Sequence, residues 1–97
     1  GHVLVIPKKE IDYIFDLDDQ LLSEMHLFSK KVAKAIGKAI PCKRVGVAVI
    51  GLEVPHAHIH LVPMNSIGDI TFTREKLKPS AAELENVAEK IRAALAL

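Results

Sequence analysis

Three of the five histidines in this 97-residue chain stand at alternate positions, His56, His58 and His60, and we refer to them as the histidine row. Because successive side chains of a β-strand point to opposite faces, a strand over 56–62 would place all three imidazoles on one face. The apolar residues between them would then face a core. Such a row of polar rings is costly unless the rings are solvated, hydrogen-bonded or used in chemistry.

Three uses of the histidine row are open from the residues alone. Two histidines at i and i+2 could share a zinc ion, although no spacing of other ligands completes the site. The row could instead be a hydrogen-bonded or pH-responsive face. The third use is nucleophilic catalysis, in which a neutral ring attacks phosphorus through one nitrogen while the other nitrogen holds the proton. Neighbouring rings would donate hydrogen bonds to the phosphoryl oxygens. We favour the third use.

The composition predicts one compact domain, since 49% hydrophobic and 26% charged residues are ordinary for a globular chain and exclude disorder. Thirteen Lys and Arg against twelve Asp and Glu provide no basic excess for binding a nucleic acid polymer. Cys42 is the single cysteine, so it forms no disulfide within the chain. The apolar runs are far shorter than the ~20 residues of a membrane span, and no signal-peptide pattern is present. We therefore expect a cytoplasmic protein without membrane contact.

The elements that must position the row follow from the periodicity of apolar residues. Strands are predicted at Val3–Ile6, Val45–Ile50 and His56–Val62, with a weaker extended segment near 70–72. A spacing of three and four predicts a helix from about residue 18 to about residue 38. Its stripe is Leu21, Met25, Phe28, Val32, Ala35 or Ile36, and Ala39. A capping box, Ser80-Ala-Ala-Glu83, opens a second helix with a stripe of Leu84, Val87, Ala88, Ile91 and Leu95. The pattern predicts an α+β domain with helices packed on one sheet face.

The segment that carries the row resembles the signature of the histidine triad (HIT) superfamily. His56-Ala-His-Ile-His-Leu-Val62 matches every position of the family motif, His-φ-His-φ-His-φ-φ, where φ is apolar, within a similar stretch over Gly51–Pro63. Gly1–Lys9 is similar to the family's strand before its main helix and places His2 where a fourth active-site histidine usually sits. The resemblance implies a single HIT-like domain over 1–97, an antiparallel sheet with one long central helix and a C-terminal helix. The resemblance implies that the N-terminal hairpin and helix of the family do not lie within these 97 residues.

The resemblance also implies a nucleotide hydrolase or transferase. His58 would attack the α-phosphorus of a nucleoside phosphate derivative, such as a phosphoramidate or a dinucleoside polyphosphate, to form a nucleotidyl-histidine that water then resolves. His56 and His60 would position His58 and bind phosphate oxygens, and the His56 carbonyl would hold the ring proton of His58. Substrate contacts are expected at His2, Gly51, Glu53 and Val54.

Departures from the family pattern keep other classes of function open. Glu53 takes the position of a serine that assists the leaving group in the phosphoramidase branch, and the loop before the row is short, with no asparagine near Gly51. A nucleotide-binding module without turnover is therefore the alternative, and a metal-dependent enzyme comes third. We expect a homodimer formed on the apolar face of the long helix, and no cofactor or bound metal.

Overall fold

The sheet is built around the strand that follows the first histidines of the row. The computed structural model describes residues 1–70 and 80–96, and within these ranges three strands form one antiparallel sheet in the order β1-β3-β2. β1 spans Val3–Val5, β2 spans Arg44–Ala48 and β3 spans Ile59–Met64. β3 is therefore central and pairs with both of its neighbours.

The three predicted strands are present with shifted ends. β1 and β2 end one and two residues earlier than predicted. β3 begins at Ile59 instead of His56 and continues through Pro63, which was expected to close it. β1 pairs only with Ile59–Leu61, so at Pro63 the strand has a partner, Val45, on one side only. A proline without a backbone N–H is tolerated at such a position.

The prediction of an extended segment near 70–72 is wrong at its first residue. Ile70 ends a 3-10 helix, Ile67–Ile70, and residues 71 and 72 lie outside the described residues. The carboxylate of Asp69 accepts the backbone N–H groups of Asn65 and Ser66 at 2.8 and 3.0 Å. This side-chain acceptor turns the chain directly after β3 and competes with an extended conformation.

The long helix α1 spans Asp19–Ala39, as the apolar periodicity predicts. Asp18 caps its N-terminus by accepting a backbone N–H of the first turn at 2.8 Å. The core face is rotated from the predicted stripe, because Phe28 is 52% exposed and Ser29 is buried. The Ser29 hydroxyl tolerates burial by donating to the Met25 carbonyl. The buried residues of α1 are Met25, Ser29, Val32, Ala35 and Ile36.

The second helix, α2, spans Ala81–Leu95 and packs against α1. Ser80 caps it by accepting the Glu83 N–H at 3.1 Å, as the capping box predicts. Ile91 is buried in the core, whereas Leu84, predicted on the same stripe, is exposed. The part of α2 from Val87 onward therefore packs against the core.

The core lies between α1 and β3 and leaves the other face of β3 to the histidines. Ile36 of α1 meets Ile59 and Leu61 of β3, and all three side chains are fully buried. This is the predicted α+β architecture, with an antiparallel sheet and two helices. Within residues 1–70 and 80–96, no helix is both long and apolar enough to cross a membrane.

Candidate active site

The histidine row lies on the face of the sheet that is turned away from the core. Ala57, Ile59 and Leu61 are 3%, 0% and 0% exposed and face the core, as the alternation predicts. His56 and His58 precede β3 and are partly exposed, whereas His60 lies inside β3 and is buried. The predicted alternation of faces therefore extends over His56 and His58, although the hydrogen-bonded strand β3 begins only at Ile59.

The ring of His58 is bonded to the backbone of the row itself. Its Nδ1 lies 2.7 Å from the carbonyl oxygen of His56, the contact that the resemblance implies. Because a carbonyl oxygen only accepts hydrogen bonds, Nδ1 must be the protonated nitrogen. In the neutral ring Nε2 therefore carries a free lone pair.

The ring of His56 is bonded to the end of the first strand segment, through a residue that sequence reasoning missed. Its Nε2–H donates to the carbonyl oxygen of buried Pro7 at 2.8 Å. The next backbone N–H, of Ala57, donates to the Ile11 carbonyl at 2.7 Å. No side-chain signal could have identified these two acceptors, because every residue carries a carbonyl. The proline after a predicted strand marks only where the chain leaves the sheet.

The fourth histidine joins the row at its other end. His2 Nε2 lies 2.9 Å from His60 Nδ1, and the two ring centroids are 5.1 Å apart. The rings of His60 and His58 also touch, with centroids 4.7 Å apart and planes at 71°. The structure thus brings together His2, His58 and His60, three of the four predicted site histidines, and attaches His56 through its carbonyl.

The loop before the row contains the other predicted contact residues, Gly51, Glu53 and Val54, and all three are exposed. Gly51 has φ +76°, a left-handed conformation that favours glycine. The His56 N–H donates to the Val54 carbonyl at 2.8 Å, so the chain makes a γ-turn centred on Pro55 before it enters the row. The loop adjoins the row in sequence and in space, but Glu53 makes no hydrogen bond with a histidine ring.

Apolar side chains of β1 flank the row and were not predicted as site residues. Leu4 lies directly opposite His60 in the β1–β3 ladder, so the two side chains share one face of the sheet. Leu4 is 46% exposed, and Ile6, two residues further on, is 53% exposed. The sequence signal for this face is the alternation around Val5. Because Val5 is buried, Leu4 and Ile6 on either side of it point to the opposite face.

Metal ligation is the remaining chemistry that the sequence left open. Among residues 1–70 and 80–96, no group of three or more His, Cys, Asp or Glu side chains is arranged to hold a metal ion. One pair of possible ligands is His2 and His60, whose facing nitrogens are hydrogen-bonded to each other. Their 2.9 Å separation leaves no room for an ion between them, since zinc–nitrogen bonds are ~2.0 Å long.

Comparison with known proteins identifies relatives of this chain by sequence and by fold. The HIT domain family model matches residues 1–67. The asymmetrical bis(5'-nucleosyl)-tetraphosphatase of Schizosaccharomyces pombe is 31% identical over 68 residues, which are 65% of this chain and 37% of that protein. The chain therefore spans well under half the length of this relative.

Solved structures share the fold over nearly the whole chain. A Hit-like protein involved in cell-cycle regulation from Bartonella henselae has a TM-score of 0.79 and 31% identity, covering 96% of this chain and 69% of that one. A Zn-bound histidine triad family protein from Mycobacterium smegmatis has a TM-score of 0.76 and 26% identity, covering 98% of this chain and 68% of that one. With the motif, the four histidines and the fold in agreement, the chain belongs to the HIT domain family.

Proposed function

We propose that this domain is a nucleotide hydrolase or transferase that acts at the α-phosphorus of a nucleoside phosphate derivative, with His58 as the nucleophile. The observation that carries the proposal is the bond from His58 Nδ1–H to the His56 carbonyl. This bond leaves the Nε2 lone pair free for attack. A neutral imidazole with one nitrogen held and the other free is the arrangement that nucleophilic catalysis by histidine needs.

The reaction proceeds in two steps that return the ring to its starting state. The Nε2 lone pair of His58 forms an N–P bond as the bond from phosphorus to the leaving group breaks, and the leaving group takes up a proton from His60 or from water. The ring becomes cationic, and the His56 carbonyl dipole on Nδ1–H offsets that charge. Water then attacks phosphorus and loses a proton, which replaces the proton given to the leaving group. The N–P bond breaks, and a nucleoside monophosphate and the neutral ring are released.

His60 and His2 serve the phosphoryl group in this proposal. The ring of His60 touches the ring of His58, so it stands beside the place where the phosphorus must approach. It would donate to the phosphoryl oxygens or protonate the leaving group. His2, bonded to His60 Nδ1, would hold that ring in place.

The nucleoside would lie along the apolar side of the row. Leu4 shares the face of His60 and, with Ile6, exposes apolar surface suited to the flat face of a base. Loop residues Gly51, Glu53 and Val54 would border the leaving group, because they precede the row directly. No cofactor is needed for this chemistry.

The proposal is tested by trapping the covalent intermediate. The purified protein is mixed with an adenosine phosphoramidate, a guanosine phosphoramidate or a dinucleoside tetraphosphate and quenched within milliseconds in alkaline denaturant, because N–P bonds hydrolyse in acid. We expect the peptide that carries His58 to gain the mass of a nucleotidyl group. Nucleotide binding without an adduct or turnover would overturn the proposal in favour of the binding module.

Two copies of the chain form a homodimer in this proposal. Leu27 and Phe28 are 68% and 52% exposed on α1, and β2 is an edge strand on which Val47 is 57% exposed. An exposed edge strand beside apolar side chains is prone to pair with another chain. The commonest such pairing in homo-oligomers is a two-fold contact between identical surfaces. A cytoplasmic location belongs to the same proposal, since the lone Cys42 forms no disulfide within the chain.

Light scattering tests the dimer. The unmodified protein should have the mass of two chains at micromolar concentration, and Phe28→Asp should reduce it to one. Leu84→Asp is the matched control, because Leu84 is a similarly exposed leucine on α2. A monomeric unmodified protein, or equal dissociation by both variants, would contradict the proposed contact.

A further inference from the structure

The side chain and the carbonyl of His56 make different contacts, although the resemblance assigns the residue to phosphate binding. The ring donates Nε2–H to the Pro7 carbonyl at 2.8 Å, while the carbonyl accepts Nδ1–H of His58 at 2.7 Å. A neutral ring has one N–H, and here it is already used. Its remaining nitrogen, Nδ1, is an acceptor, which repels a phosphate oxygen instead of binding it.

The segment Pro7–Ile11 holds the chain on two sides of the His56 carbonyl, and we call it the clasp. The Pro7 carbonyl takes the His56 ring, and the Ile11 carbonyl takes the N–H of Ala57, which belongs to the same peptide group as the His56 carbonyl. Pro7 is buried and Ala57 is 3% exposed, so each of the two hydrogen bonds has one buried partner. Two hydrogen bonds therefore restrain the rotation of the one peptide plane on which the proton of His58 depends.

We propose that His56 is a positioning residue: its ring, bonded to Pro7, holds its own carbonyl where it keeps His58 in the Nδ1–H tautomer. This inference rests on the proposed function of His58 and replaces the phosphate-binding role of His56. A histidine ring in water favours the Nε2–H tautomer, whose Nε2 cannot attack. Loss of the acceptor would therefore remove the nucleophile without removing His58.

Two amide variants separate positioning from phosphate binding. The Nε2 of glutamine falls close to the place of histidine Nε2, whereas the Nδ2 of asparagine falls close to histidine Nδ1. His56→Gln can therefore keep the donor to Pro7, and His56→Asn cannot reach it. Neither amide carries a charge, so a charge-based contact with phosphate is lost in both variants.

The expected result is a contrast between these variants in rate and in tautomer. His56→Asn should lower kcat about 10²-fold, the cost of a small misplacement of a reacting group, with an unchanged dissociation constant for the product nucleotide. His56→Gln should stay near the wild-type kcat. In ¹⁵N NMR spectra at neutral pH, His58 should show Nδ1–H in the wild type and His56→Gln, and a shift toward Nε2–H in His56→Asn. Equal weakening of nucleotide binding by both variants would overturn the inference, as would an unchanged His58 tautomer in His56→Asn.

A second probe leaves every side chain in place, in case His56→Asn fails to fold. In protein assembled by chemical ligation, an ester in place of the Pro7–Lys8 amide makes the Pro7 carbonyl a weaker acceptor. We expect the same tautomer shift of His58 in smaller degree, and an unchanged tautomer would overturn the inference.

The matched control is His26, whose ring Nδ1–H also donates to a backbone carbonyl, that of Leu22, at 2.9 Å on the exposed side of α1. His26→Asn and His26→Gln should leave kcat and the His58 tautomer unchanged. The tautomer is read without substrate. It therefore tests the positioning role even if no nucleotide is turned over, and a failure of the proposed function remains distinguishable.

Discussion

At one end of the candidate site the rings of His56 and His58 donate to backbone carbonyls, whereas at the other end the ring of His60 is bonded to the ring of His2. We call the first two the carbonyl-bonded pair and the last two the ring-bonded pair. A carbonyl can only accept, so it fixes the position of a proton. An imidazole nitrogen can donate or accept, so either ring can carry the hydrogen between them.

This difference matches the needs of the two halves of a phosphoryl transfer. A nucleophile must keep one nitrogen free of protons throughout the reaction. A group that supplies a proton to the leaving group must be able to change its protonation state. We infer that the carbonyl-bonded pair serves attack and the ring-bonded pair serves departure of the leaving group.

The largest expected effect comes from removing the attacking nitrogen alone. In His58→Asn the amide keeps a donor near the place of Nδ1 and lacks Nε2. Turnover should fall at least ~10³-fold, about 4 kcal/mol of transition-state stabilisation, while the affinity for product nucleotide changes little. Steady-state rates and calorimetric titration measure the two quantities. An active His58→Asn protein would end the assignment of the carbonyl-bonded pair to attack.

A smaller effect is expected from the ring-bonded pair. His2→Ala removes one hydrogen bond to His60, and the net value of such a bond is about 1 kcal/mol. We expect kcat to fall about five- to tenfold and the Nδ1–H tautomer of His58 to persist in ¹⁵N NMR spectra. A loss of that tautomer would show that the two pairs are not independent. Lys9→Ala, an exposed change on the clasp, provides the control for a general effect on the sheet edge.

The loop before the row should change the choice of leaving group more than the rate of attack. Glu53 is exposed, so its charge is screened by water and salt. Glu53→Gln should raise kcat/KM for a dinucleoside polyphosphate, whose leaving group carries negative phosphates, relative to a phosphoramidate, whose amine leaving group carries none, by about twofold, the scale of an exposed charge interaction. The ratio should approach the wild-type ratio at high salt. A salt-independent change would point to direct contact instead of charge.

The smallest expected effect is that of a chelator. Because the ring nitrogens of His2 and His60 are bonded to each other, EDTA should leave phosphoramidate turnover unchanged. Activity abolished by EDTA and restored by zinc would assign the ring-bonded pair to a metal and favour the metal-dependent class. Dialysed protein without EDTA is the reference.

The sequence allowed prediction of the faces of β3 more accurately than its ends. Alternation is a property of side chains, and it is confirmed because Ala57, Ile59 and Leu61 belong to the hydrophobic core cluster whereas Val62 does not. The start of the ladder depends on which backbone groups find a partner. Before Ile59 those groups are taken by the clasp and by the γ-turn, which no side-chain pattern encodes.

The same limit applies to the long helix and to the site. The spacing of apolar residues located α1 to within one residue at each end. The predicted buried face was wrong at Phe28, because Ser29 is buried instead. Its hydroxyl donates a hydrogen bond within the helix and so tolerates burial. The contact between His2 and His60 joins residues 58 positions apart. The family resemblance places His2 in the active site, but neither the resemblance nor local periodicity identifies His60 as its partner.

The clasp contributes backbone carbonyls to the site and leaves the side chains between them without a contact in it. Its two anchors are carbonyl groups, and Lys8, Lys9 and Glu10 between them are exposed. Almost any residue supplies a carbonyl, so in the proposed mechanism these three positions can change while His58 stays aligned for attack. Under that mechanism, new surface charges beside the proposed reaction centre can arise in single mutational steps without loss of the proposed activity.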